Sequence, residues 1–467
     1  MSVARRTKIV ATIGPASRDA VMLRRLVAAG LDVARVNFSH GTQEEHAETI
    51  ARVRHAATAV GRPVAVMCDL PGPKLRIGEL DEPLTIQAGD EVALGEGGDL
   101  PLTDPPLILH AAEGDRVLID DGAVALTVRR RGDGQIVAQA FNGGVVNTHK
   151  GVNLPDTDLP IPALTERDRE LLRFAVDQDA DYVALSFVRR AADILDLKRE
   201  LDELGGRQLV VAKIEKAEAL DDIDQIVAAA DAVMVARGDL GVEIPTAEVP
   251  IRQRHIIHAC VEAGRPVIIA TQMLQSMVSS PRPTRAEASD VANAIYEGTD
   301  AVMLSAETAV GAYPLQTLQT MAGIAVTIEA DIERMGRAPE PWTLKRGSIT
   351  DAISYGACFV ARKVDATALV TATTSGATAR AVAKHRPAQL IIAVSPDGGV
   401  VRQLALVWGV TPLLSSVGDG VETIIEEVDH LLRERSLAER GEIVVITAGV
   451  QVGRPGSTDL IRAHVVA

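Results

Sequence analysis

Met234-Val235-Ala236-Arg237-Gly238-Asp239-Leu240-Gly241-Val242-Glu243-Ile244-Pro245 follows, one helix-length later, on the apolar run Val210-Val211-Ala212-Lys213-Ile214-Glu215. Successive side chains of a strand point to opposite faces, so Lys213 and Glu215 share a face at the carboxyl end of theirs. The strand from Ala232 to Arg237 breaks at Gly238 and sets Asp239 at its own carboxyl end. Two carboxylates and an ammonium at the ends of neighbouring parallel strands suit a divalent cation beside an anionic substrate. Hard oxygens hold the metal and the ammonium neutralises phosphate or carboxylate. Gly238 and Gly241 admit a close backbone approach to that anion. Lys213 and Glu215 alone would read as a surface ion pair; the Gly-bearing turn after the next strand tips the balance towards a site.

Working outward, apolar runs alternate with amphipathic stretches. Lys8 to Ile13, Val33 to Phe38 and Pro63 to Asp69 read as strands, with helices near Asp19 to Ala29 and Gln43 to Val60. Short alternating strands punctuated by Asp121-Gly122, Asp133-Gly134 and Asn142-Gly143 then mark an all-β insert, roughly Pro73 to Leu154. The βα pattern resumes with a helix from Thr165 to Gln178. Strands follow at Tyr182 to Phe187, Leu209 to Ile214, Ala232 to Arg237, Pro266 to Thr271 and Ala301 to Leu304, then a helix near Leu315 to Arg334. Eight strands close a (β/α)₈ TIM barrel; an open doubly wound sheet is the alternative, disfavoured because polar residues fall at strand carboxyl ends one after another. The expected organisation is a barrel from 1–72 and 155–335, the insert over 73–154, a linker at 336–347 and a carboxyl-terminal α/β domain over 348–467. That last domain is read from strands Ala366 to Thr374, Gln389 to Val394 and Glu442 to Thr447.

Composition narrows the function. The 467 residues carry a net charge of -15 and only 2% aromatics, which excludes a basic footprint or stacking platform for nucleic acid. Cys68, Cys260 and Cys358 are scattered without metal spacing and fit a reducing compartment. Met1 to Lys8 lacks an apolar leader, and no apolar run spans a bilayer, so a cytoplasmic protein is expected.

Other strand ends contribute polar groups. Arg35, Asn37 and Ser39 share a face at the end of the second strand, and an Arg there suits phosphate through its planar fork. Asp69 ends the third and leads into Leu70-Pro71-Gly72-Pro73-Lys74-Leu75-Arg76, a rigid hinge whose Lys74 and Arg76 lie within reach of a phosphate. Thr271, Ser305 and Glu307 at the ends of the seventh and eighth strands are proton-handling candidates, although singly each is more often a cap or turn residue. His255 and His258 read as an ordinary helix face.

The runs Arg35-Val36-Asn37-Phe38-Ser39-His40-Gly41, Met234 to Pro245, Ala270-Thr271-Gln272-Met273-Leu274 and Leu304-Ser305-Ala306-Glu307-Thr308, in this order, resemble the pyruvate kinase family from Thr7 to about Arg462. The resemblance implies phosphoryl transfer from phosphoenolpyruvate to ADP, giving pyruvate and ATP. It makes Glu215 and Asp239 the ligands of Mg²⁺ or Mn²⁺, and sets Lys213 and Arg35 on the phosphoryl group. The backbone N–H groups of Gly238 and Asp239 would hold the substrate carboxylate. Thr271 lies near the carbon to be protonated, with Ser305 and Glu307 in the proton relay, while Asn37, His40, Arg76 and Lys150 serve the nucleotide side. The insert becomes a lid that excludes water.

One position departs from the family pattern. K⁺-requiring members resemble Asp-Thr-Lys-Gly-Pro-Glu where this chain has Asp69-Leu70-Pro71-Gly72-Pro73-Lys74. An ammonium in place of that Glu supplies the charge itself, which puts the K⁺-ligand role of Asn37, Ser39 and Asp69 in question and implies work without K⁺. In the carboxyl-terminal domain, Thr373-Thr374-Ser375-Gly376-Ala377-Thr378 offers hydroxyls where a strand enters a helix. It matches the family's loop for a phosphorylated effector, with Arg454-Pro455-Gly456-Ser457 facing it. The family implies a homotetramer. A lyase or aldolase on the same barrel, using Lys213 as a Schiff base or the two acids for enolate chemistry, is the alternative.

Overall fold

The computed structural model describes residues 5–132, 134–335, 348–415, 421–449 and 458–467. Asp133, the expected linker and the Arg454 to Ser457 run lie outside the described residues. Eight parallel strands close into a barrel in chain order: Lys8–Thr12, Val33–Asn37, Ala65–Asp69, Tyr182–Leu185, Leu209–Ile214, Ala232–Ala236, Val267–Ala270 and Ala301–Leu304. The eighth closes on the first with Lys8 opposite Ala301. These strands are buried on both faces, which is why they read as nearly continuous apolar runs. Their inward residues, among them Val10, Met67, Tyr182, Val211, Met234, Ile268 and Met303, fill the barrel.

Local signals place the surrounding helices. The Thr42 hydroxyl accepts from Glu45 N–H and Glu45 reaches back, so Gln43–Val60 starts on a capping box; Gly61, at φ 72°, ends it. Thr165 and Asp168 cap Glu166–Asp177 in the same way. The sixth strand ends one residue earlier than expected because Arg237 already opens a short helix, Arg237–Glu243. Gly238 and Asp239 therefore sit in a helical first turn.

Between the third and fourth barrel strands, five antiparallel strands form one sheet in the order Val152–Asn153, Arg116–Ile119, Val124–Arg131, Gln135–Ala140, Glu91–Gly95. Leu84–Ile86 pairs separately with Gly144–Val146. This insert owns its core, built on Ile77, Leu94, Leu100, Val117, Leu126 and Ile136. The carboxyl-terminal sheet runs Val410–Leu414, Leu390–Ser395, Ala368–Ala372, Ile443–Gly449, Thr458–Val465, all parallel except the last. Its two edge strands escape the sequence reading: one carries Pro412 and the other is half polar, as edges that pair on one side tolerate.

The end of the barrel opposite the strand carboxyl termini is closed by the carboxyl-terminal sheet's own turn. Ala405 and Leu406 join the barrel's interior cluster. Around them the Tyr182 hydroxyl donates to Gln403 O at 2.5 Å, the Lys8 ammonium donates to Val410 O at 2.7 Å, and Arg386 lies 3.0 Å from Asp300. Burial pushes the Lys8 ammonium down to about 8, against the pull of Asp32. No helix among the described residues is long and apolar enough to cross a membrane.

Candidate active site

The fifth strand delivers Lys213 and Glu215 to one face, and they meet: Lys213 Nζ lies 2.9 Å from Glu215 Oε1 and 3.2 Å from Asp69 Oδ1. Its third donor goes to Ser186 Oγ at 2.6 Å. Arg35 Nε donates to the other Asp69 oxygen at 2.6 Å, and its Nη1 to Thr12 Oγ1 at 2.9 Å. Asp69 thus stands between two cations, so the residue considered for K⁺ is here their counter-ion. Glu215 Oε2 accepts the Phe187 N–H at 2.8 Å.

Burial sets the electrostatics. It drives the Lys213 ammonium towards neutrality, but Asp69 and Glu215 outweigh it and hold the group above its usual range. Burial likewise pushes the Asp69 carboxyl up, yet Lys213 and Arg35 bring it below the ordinary value. Glu215 stays raised: burial and the neighbouring Asp239 charge exceed the pull of Lys213. Two hard carboxylates whose crowding keeps one of them reluctant to ionise are a donor set that a divalent cation would relieve. Among the described residues no three His, Cys, Asp or Glu side chains converge for a metal, so this pair would leave the remaining positions to substrate and water.

Asp239 is partly exposed, and Lys74 Nζ lies 3.8 Å from its Oδ1. The Lys74 stem crosses Gly151 so closely that an added Cβ there would come within 2.8 Å of Lys74 Cε. The Gly238 N–H, expected on the substrate carboxylate, donates to Thr271 Oγ1 at 2.8 Å. Thr271 itself sits at φ 68° and Gln272 at φ 56°. For a β-branched residue that conformation costs ~1–3 kcal/mol and is found mainly where function requires it.

The proton-handling candidates divide. Ser305 Oγ is buried with no partner and its backbone adopts an unusual φ −108°, ψ −101°. Glu307 is fully buried, and its oxygens accept Leu274 N–H at 3.1 Å and Ser305 N–H at 2.7 Å. Each oxygen accepts one backbone N–H, which ties the seventh and eighth strand ends together and leaves the carboxylate further lone pairs.

Of the residues expected on the nucleotide side, Asn37 Oδ1 accepts the Ser39 N–H at 3.2 Å and His40 is exposed. Arg76 and Lys150 stand on the insert: Arg76 Nη1 donates to His149 O at 3.1 Å, and Lys150 Nζ pairs with Asp120 at 2.9 Å. The insert reaches the barrel mouth through Asn153, which donates to Glu243 Oε1 at 2.9 Å, the same oxygen that Lys216 engages. His255 lies on the Val249–Ala263 helix and is exposed.

In the loop from Thr373 to Thr378, expected to take an effector, two of the four hydroxyls are used within the fold. Thr373 Oγ1 accepts the Gly376 N–H at 2.9 Å, and Thr378 Oγ1 bonds Thr458 Oγ1 at 2.6 Å. Thr374 is exposed, and Ser375 gives its carbonyl to Arg380 at 3.0 Å.

Ser186, Thr12 and Arg237 belong to the site and escape the sequence reading. Ser186 falls inside the run read as a strand, Tyr182 to Phe187, while the observed strand ends at Leu185, and its place at a carboxyl end was the available signal. Arg237 sits inside the opening motif but is read as the end of a strand.

Two family models match the chain: pyruvate kinase, barrel domain, over residues 4–318, and pyruvate kinase, alpha/beta domain, over residues 351–464. A pyruvate kinase of Geobacillus stearothermophilus is 45% identical over 474 residues, covering 99% of this chain and 81% of that protein. The pyruvate kinase of Sporosarcina psychrophila is 41% identical, covering 99% and 80%, and that of Clostridium acetobutylicum 40% identical, covering 99% of both. With Lys213, Glu215 and Asp239 gathered at the mouth of an eight-stranded barrel and both of its parts matched, the chain belongs to the pyruvate kinase family of phosphotransferases.

Proposed function

We propose that the chain moves the phosphoryl group of phosphoenolpyruvate to ADP. The P–O bond to the enol oxygen breaks, a P–O bond to the terminal oxygen of ADP forms, and the enolate takes a proton at its methylene carbon to give pyruvate. The observation that carries the reading is the Arg35–Asp69–Lys213–Glu215 chain of alternating charges at neighbouring strand ends. It stores two cations next to the carboxylates, ready to turn to a phosphoryl group in flight, and phosphoryl transfer asks a protein mainly for such positioning. Mg²⁺ or Mn²⁺ held by Glu215 and Asp239 would supply charge neutralisation at the transferring group. Thr271 is assigned to the carbon to be protonated, with Ser305 and Glu307 in the proton relay. Asn37, His40, Arg76 and Lys150 face the nucleotide, Lys150 exchanging Asp120 for phosphate, and the insert shields the transfer from water. A coupled assay of ATP formation tests the reading; no ATP from a folded, Mg²⁺-loaded protein would sink it. The aldolase alternative needs a neutral amine at Lys213, which three acceptors and a raised proton affinity oppose. Borohydride trapping with pyruvate would reveal it.

The enzyme is expected to work without K⁺. The reading is supported by Lys74, whose stem passes over Gly151 and whose ammonium, partly exposed, lies 3.8 Å from Asp239. An ammonium about 4 Å from a substrate anion is worth roughly 4 kcal/mol at an effective dielectric near 20, enough to replace a mobile monovalent cation. Initial rates in buffers whose only monovalent cation is large and organic should match those with K⁺, and stimulation of about tenfold or more by K⁺ would exclude the idea. Lys74→Glu should lower the rate and make the remainder respond to K⁺.

Regulation by a phosphorylated metabolite is assigned to the loop from Thr373 to Thr378. Since Thr373 and Thr378 are engaged internally, Thr374 and Ser375 are the hydroxyls left for phosphate. Changing both to Ala should remove activation by sugar phosphates while leaving basal turnover; an unchanged response moves the effector elsewhere. A cytoplasmic homotetramer is the expected state. It is supported by exposed Ile349, Phe359 and Val465 on one helix and an edge strand, and by three free cysteines. Sedimentation equilibrium showing a monomer would contradict the assembly.

A further inference from the structure

We infer that Arg237 is a positioning residue for proton transfer, acting through the backbone of Thr271. The inference deepens the proposed reaction and rests on the assignment of Thr271 to the enolate carbon. Thr271 and Gln272 both hold positive φ, 68° and 56°, a conformation that a β-branched residue leaves unless it is held. The holding group is the Arg237 guanidinium, whose Nη2 donates to Thr271 O at 2.8 Å and whose Nε donates to Ala270 O at 3.3 Å. It therefore straddles the peptide at which the chain turns left-handed.

The guanidinium is anchored from behind. Its Nη1 lies 2.7 Å from Asp290, on the helix Arg285–Tyr296, and 3.4 Å from Gln253 Oε1. Gln253 is itself fixed by donating to Glu297 at 2.8 Å. With the backbone so clamped, the Thr271 hydroxyl has one orientation: its proton goes to Ala270 O at 2.6 Å and a lone pair takes the Gly238 N–H at 2.8 Å. Relaxation of Thr271 to negative φ would swing Oγ1 away from the Gly238 turn. A lysine cannot take over, because a point donor does not span two carbonyls as a planar fork does.

The test is the Mg²⁺-dependent exchange of pyruvate methyl protons with D₂O, read by NMR on the full chain. Arg237→Lys should slow exchange by about tenfold or more, since small misplacements of a reacting group have effects of that order. The solvent deuterium isotope effect on kcat should rise, while the Mn²⁺ and phosphoenolpyruvate dissociation constants hold within about twofold. Asp290→Asn, at a partly exposed position, should act in the same direction with a smaller effect and guards against misfolding of the first variant. In a Thr271→Ala background, Arg237→Lys should add less than about twofold, because the two act on one group. Wild-type exchange in folded Arg237→Lys and Asp290→Asn, with Thr271→Ala slow, would overturn the clamp and leave Thr271's role standing, as would multiplicative effects in the double variant. Wild-type exchange in Thr271→Ala would overturn both.

Discussion

Lys213→Met is expected to reduce ATP formation about a thousandfold, ~4 kcal/mol in activation free energy, the scale of removing a preorganised group from developing charge. The side chain's three donors all go to Asp69, Glu215 and Ser186. Methionine keeps the stem's volume and deletes the charge together with those donors. The loss leaves two buried carboxylates short of a partner, so stability should fall as well, and a melting curve must accompany the assay. Lys213 in the folded chain is held above its ordinary proton affinity, so the stability it contributes is complete below the unfolded value near 10.5 and is lost only as pH rises through the higher folded value. Its titration should therefore leave no trace in a pH–rate profile between 6 and 9. Metal-dependent exchange of pyruvate methyl protons should survive the substitution if, as proposed, Thr271 and not Lys213 serves the enolate carbon. If pyruvate still bound but exchange vanished together with transfer, Lys213 would serve both halves of the reaction.

Asp239→Asn should weaken Mg²⁺ or Mn²⁺ binding and cut turnover by about a hundredfold or more, as loss of one of two anionic ligands to a hard cation implies. The side chain is 29% exposed and pairs with Lys74 only at 3.8 Å, so the fold should be little affected. The same change removes one of the two influences that push the Glu215 carboxyl up, and that group should titrate lower in the variant than in the parent. Mn²⁺ titration followed by electron paramagnetic resonance reads the affinity, and Mg²⁺-dependent initial rates read the turnover. Near-normal turnover with an unchanged metal requirement would remove Asp239 from the ligand set.

Period and position made part of this site legible. Lys213 and Glu215 two residues apart on a strand had to share a face, and the structure pairs them at 2.9 Å. The eight barrel strands were readable because burial on both faces leaves them apolar from end to end. Legibility failed where a residue's role depends on its partner across space. Asp69 looks like any strand-end acid until Arg35 and Lys213 are seen on either side of it, and nothing near Glu307 in sequence tells that its oxygens accept the Leu274 and Ser305 N–H groups. The left-handed Thr271 was beyond local reading altogether, since a β-branched residue after a strand argues against that conformation. The two missed edge strands of the carboxyl-terminal sheet failed for a different reason: half of each is solvated, so period and hydrophobicity are both diluted.

The turn carrying Ala405 and Leu406 into the barrel interior bears on how the molecule comes apart. A chain divided by sequence into a barrel and a separate carboxyl-terminal sheet would be expected to denature in two steps. Here Ala405 and Leu406 pack in one apolar cluster with Val10, Val33, Met67 and Tyr182, and around that cluster Lys8 and Asp300 bond to carboxyl-terminal groups. Neither part can lose its packing without uncovering the other's, which couples their melting into a single cooperative transition. The insert has a core of its own and bonds to the barrel through Asn153 and Glu243, so its opening need not uncover the barrel interior.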